Sequence, residues 1–192
     1  MTQRLFVAIV PPVPVREAWD AFLAPRRDAG AELRWVLPES WHITCAFMGR
    51  VADAHADALD EALAAVASRT APFTVAVEGG GAFPNPDAAK VLWLGVAAGA
   101  RELGEVAVRC RNAATGCGIE VDGGRFRPHV TIARADGQRV LRWLQVLDAI
   151  GRQAWPVTGF RLVRSQLLPG GAGYRTVGEY PLTGGRPCRE MR

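Results

Sequence analysis

Two segments of this chain carry the same short pattern, His42-Ile43-Thr44-Cys45 and His129-Val130-Thr131-Ile132, each inside an apolar run that reads as a strand. On an extended strand, side chains alternate between faces with period two. His42 and Thr44 therefore share one face, and Ile43 and Cys45 the other. His129 and Thr131 are set in the same way against Val130 and Ile132. A fold built on this sequence has to bury one face of each strand and leave the polar face open. Set across a cleft, the two strands present two imidazoles and two hydroxyls to one ligand. The chain has only three histidines in 192 residues, and two of them sit in these copies. Two imidazoles suit acid–base chemistry, and two hydroxyls can hydrogen-bond an oxyanion. The combination points to a phosphate ester.

The rest of the chain supplies strands and helices in alternation. Arg4 to Val10 reads as a buried strand. Pro12 opens a helix with Ala18, Trp19, Phe22 and Leu23 at helical spacing. Leu33 to Val36 reads as a short strand, and Trp41 to Met48 as the first motif strand, closed by Gly49. Asp53 is expected to cap a helix running to Ser68. Phe73 to Val77 alternates as a strand that Gly79-Gly80-Gly81 breaks, and Phe83-Pro84-Asn85-Pro86 is a loop. Val91 to Val96 is a strand, Arg101 to Ala114 a helix, Phe126 to Arg134 the second motif strand, and Val140 to Ile150 a helix. Phe160 to Leu168 and Tyr174 to Leu182 pair as a hairpin around Pro169-Gly170-Gly171-Ala172-Gly173. The expected architecture is α+β. One bilobed domain over residues 1–192 carries two mainly antiparallel sheets with flanking helices, related by a pseudo-two-fold axis. The cleft between the lobes holds both motifs.

Composition narrows the partners. An apolar fraction of 49% and a charged fraction of 22% are those of an ordinary globular chain. No apolar run approaches the ~20 residues a membrane span needs, and the N-terminal run stops at Pro11-Pro12 without a cleavage region. A cytoplasmic monomer is expected. The net charge of +4 is a mild bias toward anionic ligands. Of the 23 basic residues only Lys90 is a lysine, which suits bidentate phosphate contacts but follows equally from a GC-rich genome. Cys45, Cys110, Cys117 and Cys188 form no CxxC pair, so neither a zinc site nor a disulfide framework is indicated. Cys45 reads as a small buried hydrophobe.

The match between the copies extends beyond four residues. Trp41-His42-Ile43-Thr44-Cys45-Ala46-Phe47 aligns with Pro128-His129-Val130-Thr131-Ile132-Ala133-Arg134. Here the sequence resembles the two-histidine (2H) phosphoesterases, and within them the bacterial RNA 2′,3′-cyclic phosphodiesterases of the LigT type. The resemblance covers Arg4 to Ile9, Trp41 to Gly49 with its Phe47-Met48-Gly49, and Val91 to Gly95. It continues over Arg127 to Arg134, and over Ser165 to Leu168 with Gly173-Tyr174-Arg175. Cys45 departs from the usual Leu; by periodicity it faces away from the cleft. The resemblance implies His42 as proton donor and His129 as proton acceptor, a 2′-phosphate product, and a possible reverse 2′–5′ ligation of RNA halves. The symmetry of the sequence itself leaves the two roles open.

The residue types fit that chemistry. One neutral imidazole takes a proton from water, and one imidazolium gives a proton to the departing ribose oxygen. A histidine pKa near 6.5 leaves both forms accessible. Thr44 and Thr131 can donate to the non-bridging phosphate oxygens. No cofactor or metal is called for. Four further residues are candidate substrate contacts, each with a structural alternative. Arg134 follows the second motif and can bind phosphate, but strict alternation puts it opposite His129, so it reaches the cleft only if the strand twists or ends there; a surface role is the equal alternative. Phe6 can stack on a base or pack in the core, and core packing is the simpler reading. Phe47 falls on the Ile43 face and so toward the core. Tyr174 either lines the cleft or completes a hairpin pair. His55 and the Asp57, Asp60, Glu61 group read as a solvated helix face. Rival functions are a phosphodiesterase for small cyclic nucleotides, a non-catalytic module that binds RNA ends, and, more remotely, a metal-binding protein using the two histidines.

Overall fold

The computed structural model describes residues 2–168 and 171–185, so Cys188 and the Pro169-Gly170 tip of the last hairpin lie outside the described residues. In chain order come β1 (Thr2–Ile9), α1 (Val13–Leu23), β2 (Arg34–Trp35), β3 (Ile43–Ala52) and α2 (Ala56–Ser68). They are followed by β4 (Phe73–Phe83), β5 (Ala89–Ala98), α3 (Ala100–Gly116), β6 (His129–Gln138) and α4 (Leu141–Asp148). The chain ends with β7 (Gln153–Val157), β8 (Gly159–Leu168) and β9 (Gly171–Pro181).

The strands form two antiparallel arms that meet in the middle. The hydrogen-bonded order is β7-β4-β5-β6-β3-β1-β8-β9, with β2 alongside β6. Apart from β2, each arm has four strands, and the motif strands β3 and β6 are the innermost of each. The two expected sheets are thus the arms of one curled sheet, joined by a single pair, Ile43 opposite Val130. Both side chains are fully buried, as the apolar side of each motif requires.

One face of the curled sheet carries the main core. Leu5, Val7 and Ile9 of β1 pack there with Trp19 and Leu23 of α1, Leu59 and Leu63 of α2, Leu103 and Val106 of α3, and Leu147 of α4. The alternate residues of β1, Phe6 and Ala8, belong to a separate small cluster on the opposite face with Val163, against which Phe47 packs. The period-two pattern of β1 is therefore split between a helix-covered core and a cleft floor. Trp19 anchors the helix side, with edge contacts to Trp41 and Trp155 at 5.9 and 6.0 Å between ring centroids.

Several local expectations are corrected. β3 runs through Gly49 to Ala52, and β4 runs through its three glycines. These glycines admit bulky neighbours: a Cβ at Gly81 would lie 2.1 Å from Trp93, and one at Gly80 2.6 Å from Leu147. Asp53 does not cap α2; its carboxylate accepts a hydrogen bond from Gln3 Nε2 at 2.7 Å, and a 3-10 turn precedes the helix. β7 was not expected from sequence. It is short and contains Pro156, which an edge strand tolerates because no ladder partner needs its missing N–H.

Candidate active site

Both motifs stand at the joint between the arms. Antiparallel pairing of Ile43 with Val130 sets His42 opposite Thr131 and Thr44 opposite His129. The four polar side chains occupy the corners of a square on the open face, with each histidine beside the other motif's threonine. The two histidines are diagonal, a relation that puts backbone positions about 7–8 Å apart. That gap suits a tetrahedral phosphate held between two ring tips.

The strands part beyond this pair, and each bulges at an equivalent position against its outer neighbour. In β3 against β1, Ala8 pairs with Thr44 and Val7 with Ala46, so Cys45 is the extra residue. In β6 against β5, Trp93 pairs with Thr131 and Leu92 with Ala133, so Ile132 is the extra residue. A bulge places two successive residues against one and resets the alternation beyond it. Cys45 with Ala46 and Ile132 with Ala133 are accordingly all buried. Phe47 and Arg134, three residues beyond each threonine, return to the open face. Strict alternation would have placed both away from the cleft, and the bulges overturn that. The backbone freed where the strands part is taken up locally: Val36 N–H donates to Ile132 O at 2.9 Å, and Asp122 N–H to Phe47 O at 3.0 Å.

The resulting cleft holds about 570 Å³ and brings together all eight residues singled out from sequence: His42, Thr44, His129, Thr131, Arg134, Phe6, Phe47 and Tyr174. Arg4, Ser165, Phe83 and Val36 also line it and were not anticipated. Arg4 was detectable, since it lies two positions before Phe6 on the same strand face. Ser165 was not, because only the pairing of β1 with β8 brings it there. Among the described residues neither Arg4 nor Arg134 forms an ion pair, so both charges are available. Arg4 lies over the Phe47 ring at 5.6 Å.

Each imidazole is held the same way. His42 Nδ1 lies 2.7 Å from Ser40 O, and His129 Nδ1 lies 2.6 Å from Arg127 O. A carbonyl only accepts, so Nδ1 carries the proton in both rings and Nε2 is the nitrogen left for the cleft. Aromatic rings fix the orientation. Phe6 lies 4.8 Å and Tyr174 5.4 Å from His42, and Phe83 lies 5.0 Å from His129. Burial pushes both imidazoles below the ordinary value; the backbone carbonyls oppose this. The charge of His129 lowers His42 further. Both imidazoles are thus held toward their neutral form.

An α+β fold curled around a cleft, with a His-x-Thr-x motif on each of its two innermost strands, defines a two-histidine phosphoesterase. The chain belongs to the 2′-5′ RNA ligase superfamily, whose model matches residues 11–168. It is 33% identical over 165 residues to the RNA 2′,3′-cyclic phosphodiesterase of Aeropyrum pernix, covering 82% of this chain and 93% of that protein. The crystal structure of apo LigT from E. coli matches with a TM-score of 0.77 at 26% identity, covering 95% of this chain and 98% of that one. LigT complexed with 3′-AMP matches with a TM-score of 0.75 at 28% identity, over 95% and 99% of the two chains.

Proposed function

We propose that this chain hydrolyses RNA 2′,3′-cyclic phosphate ends to 2′-phosphomonoesters without a metal, using His42 and His129 as an acid–base pair. The observation that carries the reading is the crossed square: two imidazoles with Nε2 free, diagonal to one another, each beside a threonine hydroxyl. The name of the A. pernix relative supports the same substrate class. In the step envisaged, His129 Nε2 takes a proton from water as its oxygen bonds to phosphorus. The bond from phosphorus to the ribose 3′ oxygen breaks, and His42 gives that oxygen its proton. Thr44 and Thr131 donate to the two non-bridging oxygens, where charge accumulates. His42 must be protonated for this. Burial works against that in the free protein, and the anionic substrate works for it, since an opposite charge at contact favours the imidazolium.

The cleft is lined by residues of one chain, so the proposed reaction needs no second copy. The described cysteines are unpaired, with Cys45 and Cys110 buried, which accords with a reducing cytoplasm.

The test is hydrolysis of 2′,3′-cyclic AMP in excess EDTA, with the product identified by phosphorus NMR. Turnover to adenosine 2′-phosphate is expected. Loss of turnover in EDTA with recovery on adding a divalent cation would overturn the metal-free step. A 3′-phosphate product would overturn the assignment of the leaving group.

A further inference from the structure

The hydrolytic step leaves unused a row of cleft residues on the first arm. Arg4 of β1 pairs with Ser165 of β8, and Ser165 pairs with Tyr174 of β9. Residues directly opposite in neighbouring strands share a face. Guanidinium, hydroxyl and phenol therefore stand in one row across three strands, and all three line the cleft. The row belongs to the first arm alone. Phe83 of the second arm has its surroundings filled by Trp93, His129 and Arg127. Tyr174, by contrast, is 38% exposed at the cleft mouth while still touching Phe6 and His42.

We infer that this row is a nucleotide subsite, with Tyr174 stacking on the base and Arg4 and Ser165 holding the phosphate on the 5′ oxygen of the same nucleoside. The proposal rests on the cyclic phosphodiesterase reading and adds to it the part of the substrate that is not cleaved. Three observations converge on it. The Arg4 guanidinium has no carboxylate partner among the described residues, and it is steadied over the Phe47 ring at 5.6 Å. Phe47 lies three residues past Thr44, at most about 10 Å along the strand, a span that a ribose and its 5′-phosphate bridge. The base and the 5′-phosphate belong to one nucleoside, and the exposed Tyr174 ring and the Arg4 guanidinium belong to one arm, whereas the other cleft cation without an ion pair among the described residues, Arg134, stands on the second arm. The chemical class recognised is a nucleoside cyclic phosphate bearing a second phosphate at O5′. That phosphate is either an internal diester of RNA or a terminal monoester. A bare 2′,3′-cyclic nucleoside lacks it.

The experiment compares kcat/KM for three substrates: 2′,3′-cyclic AMP, its 5′-phosphorylated form, and a dinucleotide ending in adenosine 2′,3′-cyclic phosphate. The wild type is expected to prefer the two 5′-substituted substrates. Arg4→Gln should reduce that preference ratio about 10–100-fold, the worth of a hydrogen bond to a charged group. Because the readout is a ratio within one variant, a general loss of fold cannot produce it. Loss on both substituted substrates assigns Arg4 to any 5′-phosphate, and loss on the dinucleotide alone assigns it to the RNA diester. A ratio that stays at the wild-type value overturns the subsite. Calorimetric binding of adenosine 2′,5′-bisphosphate against adenosine 2′-phosphate separates this from the hydrolytic reading. A wild type that turns over none of the three substrates, yet prefers the bisphosphate in an Arg4-dependent way, refutes the hydrolysis and keeps the subsite. No such preference refutes the subsite even if hydrolysis is fast.

Discussion

Thr131→Val isolates one donor of the square. The substitution keeps a β-branched side chain on a strand and exchanges a hydroxyl for a methyl, so the backbone and the bulge at Ile132 should be undisturbed. If Thr131 donates to a non-bridging oxygen, its loss removes one preorganised hydrogen bond to developing charge. Such a donor is typically worth about 2.7–4 kcal/mol, or 10²–10³ in kcat. Thr131 is half-buried on the cleft face, so water partly replaces the missing donor, and the lower end, about 10²-fold, is expected. KM should change little, because the bond strengthens as charge builds. Thr44 occupies the diagonal corner; if it serves a different oxygen, Thr44→Val should cost a similar factor, and the two losses should roughly multiply. The assay is steady-state turnover of 2′,3′-cyclic AMP for both single variants and the double variant, with thermal unfolding in parallel. A change in kcat below about threefold, with the fold intact, would refute the role of the hydroxyls. A double variant no worse than either single would show that both serve one oxygen.

The pH profile of kcat/KM should be a bell, because the free enzyme needs one protonated and one neutral imidazole. Both are pushed below their ordinary value of about 6.5, chiefly by burial, so the bell should centre on the acid side of that value. The kcat profile should move to higher pH as bound phosphate favours the imidazolium. His42→Ala and His129→Ala should each cost about 10²–10⁴-fold and remove one flank; a flat profile between pH 5 and 9 in the wild type would sink the acid–base pair. The same lowered values bear on stability. The unfolded chain takes up protons more readily than the folded one, so stability should fall as pH drops through and below about 6.5, as chemical denaturation at pH 7.5 and pH 5 would reveal. Gly81→Ala puts a methyl 2.1 Å from Trp93, whose ring lies 6.1 Å from His129. It should cost about 1–3 kcal/mol and lower turnover as well, and unchanged thermal stability would refute the close packing.

Much of the fold was legible because burial writes itself into periodicity. α1 announced itself through helically spaced apolar residues, the first half of β4 through alternation, and β1 through an unbroken apolar run. The misreadings share a cause. Gly79-Gly80-Gly81 looks like a break because sequence does not show Trp93 and Leu147 lying against it. Asp53 looks like a cap because its partner, Gln3, is remote in sequence. β7 is too short for a pattern and carries a proline whose tolerance depends on its being at the sheet edge.

The same division runs through the site. Sequence alone determined the two histidines, the two threonines and the face they share, because strand alternation is a local property of the backbone. It offered Phe6 and Tyr174 as candidates while favouring the core for Phe6 and leaving Tyr174 open, and the structure sets both in the cleft lining. The tertiary structure decided the rest. The pairing of Ile43 with Val130 crosses each histidine with the other motif's threonine. The bulges at Cys45 and Ile132 turn Phe47 and Arg134 into the cleft, and the β1-β8-β9 ladder aligns Arg4, Ser165 and Tyr174. Bulges and registers are set by which strand lies alongside, and hydrogen bonds between strands distant in sequence leave no periodic trace within either one.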